Sequence, residues 1–180
     1  MGTAVIDLTA GEVVPHRSAM IAPYPADDRT TTLRMVRLFK APRERLFAAW
    51  TDSRQMAAWF GPPDVSVWSC ELDVRVGGTW RLSGGRSGKP LQAVSGKYLE
   101  VTPPERLVFT WAWHEGGDLA APREHETVLT LIFRSVGDRT EMTLTHGPFR
   151  DRAGVDNHNR GWTGSFDKLE AMLASEGDSA

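Results

Sequence analysis

The sequence has a single cysteine, Cys70, in 180 residues. One thiol cannot build a disulfide framework, so the fold must rest on a buried core, and the composition suits a reducing cytoplasm. Nor is either sign of charge in excess. Lys and Arg number 21 against 23 Asp and Glu, a net charge of -2. Without a basic field the chain has nothing to draw a phosphate backbone, which argues against a nucleic-acid partner. No apolar run approaches the roughly 20 residues of a membrane-spanning helix. Residues 1–14 lack a basic start and are interrupted by Asp7 and Glu12, so they do not read as a secretory signal. Cofactor and metal signatures are missing as well. The stretch 83–90 resembles a phosphate loop, but Ser83 and Pro90 stand where that loop needs Gly and Ser or Thr. His16, His114, His125, His146 and His158 form no i, i+2 or i, i+4 pair, and a lone imidazole does not make a metal site. No cofactor, metal or catalytic residue is assigned.

What the chain does have is seven tryptophans. Such bulky amphipathic rings point to aromatic walls around a core or a pocket. Residues 1–29, with Pro15, Pro23 and Pro25, read as a flexible extension ahead of a domain over 30–175, and 176–180 as a disordered tail. Residues 31–39 alternate as a strand. Pro42 suits the first turn of a helix carrying Leu46, Phe47 and Trp50 on one face. Asp52 and Gln55 have capping-box spacing for a second short helix with Met56, Trp59 and Phe60, which Gly61-Pro62-Pro63 stops.

A run of strands follows, over 65–74, 78–83, 91–101, 106–114, 126–135 and 139–147. The first places Trp68, Cys70 and Leu72 on one face. Gly96 reads as a bulge or bend. Leu107, Phe109, Trp111 and Trp113 give the strongest alternation, and Met142, Leu144 and His146 share a face of the last strand. A final helix over 156–173 turns Trp162, Phe166, Leu169 and Leu173 inward, while Gly161 and Gly164 let it lie close to a sheet. This order predicts an α+β domain: one bent antiparallel sheet with the helix along its concave face and apolar space between them.

The segments that carry a resemblance are 37–42 (RLFKAP), 49–52 (AWTD), 59–62 (WFGP), 77–81 (GGTWR), 96–101 (GKYLEV), 104–111 (PERLVFTW), 140–146 (TEMTLTH) and Gly161-Trp162. In this order the sequence resembles the SRPBCC (START-like, Bet v-like) superfamily, in the branch named after the activator of heat-shock protein 90 ATPase. The resemblance spans residues 31–174. It implies a helix-grip fold, a bent sheet gripping the C-terminal helix around a cavity.

The first reading is therefore a binding domain for a small apolar or aromatic molecule. Its candidate contact residues are Trp59, Trp80, Trp111, Trp113, Phe133, Leu144, His146, Trp162 and Phe166. The second is a cyclase, dehydratase or hydrolase of the same fold acting on a polyketide-like substrate, with His146 paired to Glu126 or His114. The third is a chaperone-associated interaction module. A homodimer through edge strands or the N-terminal arm stays open. Cys70, within an apolar strand, reads as an inert buried thiol.

Overall fold

The computed structural model describes residues 31–177. The extension expected over 1–29 and the last three residues of the expected tail lie outside them. The elements are β1 (Leu33–Phe39), α1 (Arg43–Thr51), α2 (Ser53–Trp59), β2 (Ser66–Leu72), β3 (Thr79–Arg86), β4 (Lys89–Thr102), β5 (Arg106–Trp113), β6 (Thr127–Val136), β7 (Arg139–Gly147) and α3 (Arg152–Gly177). A short 3-10 turn, Glu115–Gly117, follows β5. The seven strands form one sheet in the order β1-β7-β6-β5-β4-β3-β2, and every paired neighbour is antiparallel. The sheet curls into a half-barrel around α3, the helix-grip architecture expected from the sequence. None of the described helices is long and apolar enough to cross a membrane.

The inward faces of the strands meet the apolar stripe of α3 in one core. Phe39, Trp80, Leu107, Trp111, Leu129, Phe133, Leu144, Phe166 and Leu169 are all essentially excluded from solvent. β1 is an edge strand, and one reason its alternation looks incomplete is electrostatic. Arg37 turns toward α3 and pairs with Asp167 at 2.8 Å and Glu170 at 2.5 Å. An inward-leaning charge on an edge strand also discourages further strand pairing.

Four local details differ from the sequence reading. Trp68 leaves the face of Cys70 and Leu72, because a register shift falls between Val67 and Ser69, and it stands 49% exposed. Gly96 is not the bulge in β4, since that shift lies at Tyr98/Glu100. Gly96 instead makes room for Trp80: a Cβ there would stand 1.8 Å from the Thr110 carbonyl oxygen and 2.5 Å from Trp80 Nε1. The Trp80 indole crosses that space to donate to the same carbonyl at 3.0 Å. Asp52 caps α2 through its carboxylate, which accepts from the amides of Arg54 and Gln55 at 3.0 Å. The Gln55 side chain does not return to Asp52; it accepts from Arg45 instead. Finally, α3 starts a turn earlier than its apolar pattern, where Asp151 accepts from the Gly154 amide at 2.8 Å as an N-cap.

Candidate functional site

Between the sheet and the first half of α3 lies a cavity of about 180 Å3. Three parts of the chain build it. β5 supplies Trp111 and Trp113, because residues two apart on a strand share a face. The stop after α2 supplies Phe60, Gly61 and Pro62. α3 supplies His158, Gly161, Trp162 and Ser165, and Gln92 reaches in from β4. The turn has to carry glycine at position 61: its φ is +85°, and a Cβ would stand 3.0 Å from Gln92 Nε2. Lys168 fastens this turn to α3. Its ammonium donates to the carbonyls of Phe60 and Val65, both at 3.3 Å, and burial lowers its pKa from the ordinary value.

Trp111 is the centre of the aromatic wall. Its ring stacks on Phe60 at 5.7 Å and meets Trp162 at 5.4 Å, Trp113 at 5.5 Å and His146 at 5.2 Å. The space exists because α3 carries small residues where it passes this wall. A Cβ on Gly161 would meet nothing within 4 Å. Ser165, one turn on, folds its hydroxyl back onto the Gly161 carbonyl at 2.9 Å. Gly164 has a different role from the one expected: it packs against the Pro62-Pro63 turn, with Pro63 Cδ 3.2 Å from its missing Cβ, and not against the sheet.

Two histidines behind and beside the cavity are fixed as neutral rings by indole donors. Trp113 Nε1 donates to His158 Nε2 at 3.0 Å, so the ring proton sits on Nδ1 and is donated to the Gly154 carbonyl at 2.9 Å. Trp162 Nε1 donates to His146 Nδ1 at 3.2 Å. His146 Nε2–H then donates to Thr127 Oγ1 at 2.9 Å, and the Thr127 hydroxyl donates to the Trp111 carbonyl at 3.3 Å. Burial holds the His146 pKa well below the usual imidazole value, helped by the nearby His158. Burial likewise lowers His158. A proton added to either ring would have to face an indole N–H, which has no lone pair to offer.

Of the nine candidate contact residues, Trp111, Trp113 and Trp162 line this cavity. Trp59, Trp80, Phe133, Leu144, His146 and Phe166 are buried within the core around it. Phe60, Gly61, Pro62, Gln92, His158, Gly161 and Ser165 were not among the nine. The acid–base pairing that an enzyme reading required is not assembled. His146 is engaged by Thr127 and Trp162. Glu126 is half-exposed and paired with Arg123 at 2.9 Å, and His114 is held between Ser95 and the Ala121 carbonyl, both at 2.8 Å. A second, more polar recess of about 300 Å3 opens on the other side of Trp113 and His158, where Glu124, His125 and Asp151 stand. The Cys70 thiol is pushed up to about 11 by burial, as an inert side chain would be.

Comparison with curated proteins finds no match. Solved structures give close likenesses. The crystal structure of the AHSA1 protein from Silicibacter pomeroyi is 33% identical over 81% of this chain and 99% of its own, with a TM-score of 0.72. A crystal structure of a protein from Chromobacterium violaceum is 26% identical over 79% of this chain and 96% of its own, with a TM-score of 0.70. A solution structure from Arthrobacter aurescens, at 21% identity, covers 82% of this chain and 88% of its own with a TM-score of 0.71, a likeness of fold alone. The family described as activator of Hsp90 ATPase homolog 1-like protein matches residues 40–174, which takes in every wall of the cavity, and the chain belongs to that family.

Proposed function

We propose that the protein binds a small apolar or aromatic molecule between β5, the Phe60–Pro62 turn and α3. The observation that carries this reading is the cavity itself. Its walls are three indoles and a phenyl ring, no acidic or basic side chain other than neutral His158 lines it, and the helix facing it has a glycine where a side chain would close it. A cavity of about 180 Å3 exceeds the roughly 150 Å3 that suffices for benzene in an apolar protein interior. Burial of apolar ligand surface, at about 25 cal/mol per Å2, supplies the driving force. The folding of both histidines into neutral, saturated hydrogen-bond chains favours holding a ligand over proton transfer to it.

An interaction module acting on a chaperone, the role in the family's name, would call for an exposed apolar patch. On the outer face of the sheet Val36, Leu38 and Ile132 are exposed. The row of Leu38 continues across the sheet into the Glu141–Arg134 ion pair at 2.8 Å, which breaks up that surface. The ligand reading has the stronger support. Native mass spectrometry of protein purified from its own host tests it: a retained species of about one hundred to a few hundred daltons is expected. Bare protein, together with no saturable quenching of tryptophan emission across a broad aromatic panel, would overturn it.

A further inference from the structure

One pair of side chains outside both hollows has the geometry of an activated nucleophile. Ser95 lies on β4 opposite Ala112 of β5. His114, just past the end of β5, is two residues on from Ala112 and falls on the same face. Its ring reaches Ser95 diagonally, with Nε2 2.8 Å from the serine Oγ. On the other side its Nδ1 is 2.8 Å from the Ala121 carbonyl oxygen. A carbonyl only accepts, so in the neutral ring the proton sits on Nδ1. Nε2 then offers a lone pair, and the Ser95 hydroxyl donates to it. Nucleophile, base and the group that orients the base stand in series.

The fold fixes the base and leaves the nucleophile at the surface. His114 is 9% exposed, and its amide donates to the Ala93 carbonyl at 2.9 Å. Ser95 is partly exposed, so the pair meets solvent at the serine. Arg123 Nη2 donates to the Ser95 carbonyl at 3.2 Å and pairs with Glu126 at 2.9 Å. It brings a guanidinium to the residue beside which an attacked carbonyl oxygen would gain negative charge. The Ser95 contact is not what closes the loop over 115–123. Backbone bonds do that, from the Glu115 amide to the Pro122 carbonyl at 3.1 Å and from the Glu124 amide to the Trp113 carbonyl at 2.8 Å.

We propose that Ser95 is a reactive serine, acylated by small activated esters with His114 as its general base. Oγ attacks the ester carbonyl carbon and forms a bond to it, while the serine proton passes to His114 Nε2. The bond from that carbon to the leaving oxygen then breaks, and the same proton goes to the departing oxygen. The products are an acyl-serine and an alcohol, with no change of oxidation state. Ala121 positions the base through its carbonyl, and Arg123 supplies the nearby positive charge. The site is separate from the cavity, so its failure leaves the ligand reading untouched.

The test treats the full chain with p-nitrophenyl acetate, quenches in acid and maps acetyl groups by peptide mass spectrometry. Ser95 should carry the acetyl ester, and p-nitrophenolate should appear faster than in Ser95→Ala. His114→Gln should slow acetylation of Ser95 by about a hundredfold or more, the share of rate that a positioned base supplies. The parent unfolded in urea, where Ser95 and His114 separate, should show the same loss and needs no variant that folds. Acetyl groups found only on lysines or other residues of the folded parent would overturn the proposal. So would p-nitrophenolate release equal to that of Ser95→Ala, or Ser95 labelling at the same rate in the folded and unfolded chain.

Discussion

The two halves of α3 face the same sheet and do different work. From Phe166 to Leu173 the helix is closed against its surroundings: Phe166 and Leu169 are fully buried, and Phe166 meets Phe39 edge-on at 6.0 Å and Trp50 at 6.4 Å. From His158 to Ser165 the helix leaves a hollow in front of β5, with Gly161 opening on space and neutral His158 held by Trp113. Trp162 is the joint between them, packing on Phe166 at 5.6 Å on one side and lining the cavity on the other. Stability is concentrated where large apolar side chains interlock, and the hollow lies where small ones leave room. One helix can serve both ends because residues three and four apart share a face, so a change of side-chain size along a single stripe is enough.

The largest effect should come from opening the closed half. Phe166→Ala removes a fully buried ring and should cost about 3–5 kcal/mol, read by denaturant unfolding. A loss under about 1 kcal/mol would show that the second half of the helix is not the anchor described here.

A middle-sized effect belongs to the open half and depends on pH. The His146 and His158 pKa values lie below the ordinary 6.5 in the fold, whereas the unfolded chain binds protons near that value. The unfolded state thus carries more protons just below pH 6.5, and stability must fall there as pH drops. It should be complete above about pH 6.5 and decline by up to about 1.4 kcal/mol per pH unit for each ring. Thermal melts between pH 5 and 7 check this, and His158→Gln should flatten the slope. A profile that is level over this window would contradict the neutral hydrogen-bonded rings.

The architecture could be read in the sequence because it is written in periods. The alternation of Leu107, Phe109, Trp111 and Trp113, and the i, i+4, i+7 stripe of Trp162, Phe166 and Leu169, each state which side faces inward. Trp68 escaped that logic because a single-residue bulge reverses the facing of every side chain beyond it, and nothing local announces the bulge. The cavity was legible only in part, for a related reason. Trp111, Trp113 and Trp162 stand out by size, but a hollow is defined by what is small or absent. Gly161 and Ser165, one turn apart on the inner stripe, were its signal, and Gly161 was read as close packing instead. Gln92 was hidden because the strand pattern does not say which polar residue ends against an aromatic wall 30 residues away in sequence at the Phe60–Pro62 turn. The roles of His146 and His158 depend on indole donors from β5 and α3, contacts that exist only once the helix is docked.

The smallest effect is a gain. Gly161→Ala places a methyl group in open space at a helical position and should stabilise the protein by about 0.5–1 kcal/mol, measured by unfolding. A destabilised variant would mean that Gly161 already touches its neighbours, and the contrast between the halves would dissolve.

Position 161 also gives the most direct test of the central claim, that the open half is where a ligand sits. Calorimetric titration of the parent and of Gly161→Leu with acetophenone asks whether filling that space removes binding. One saturable site in the parent, lost in a Gly161→Leu protein that melts at or above the parent temperature, is the predicted result. Equal affinity in the two proteins, or no saturable binding in the parent, would contradict it.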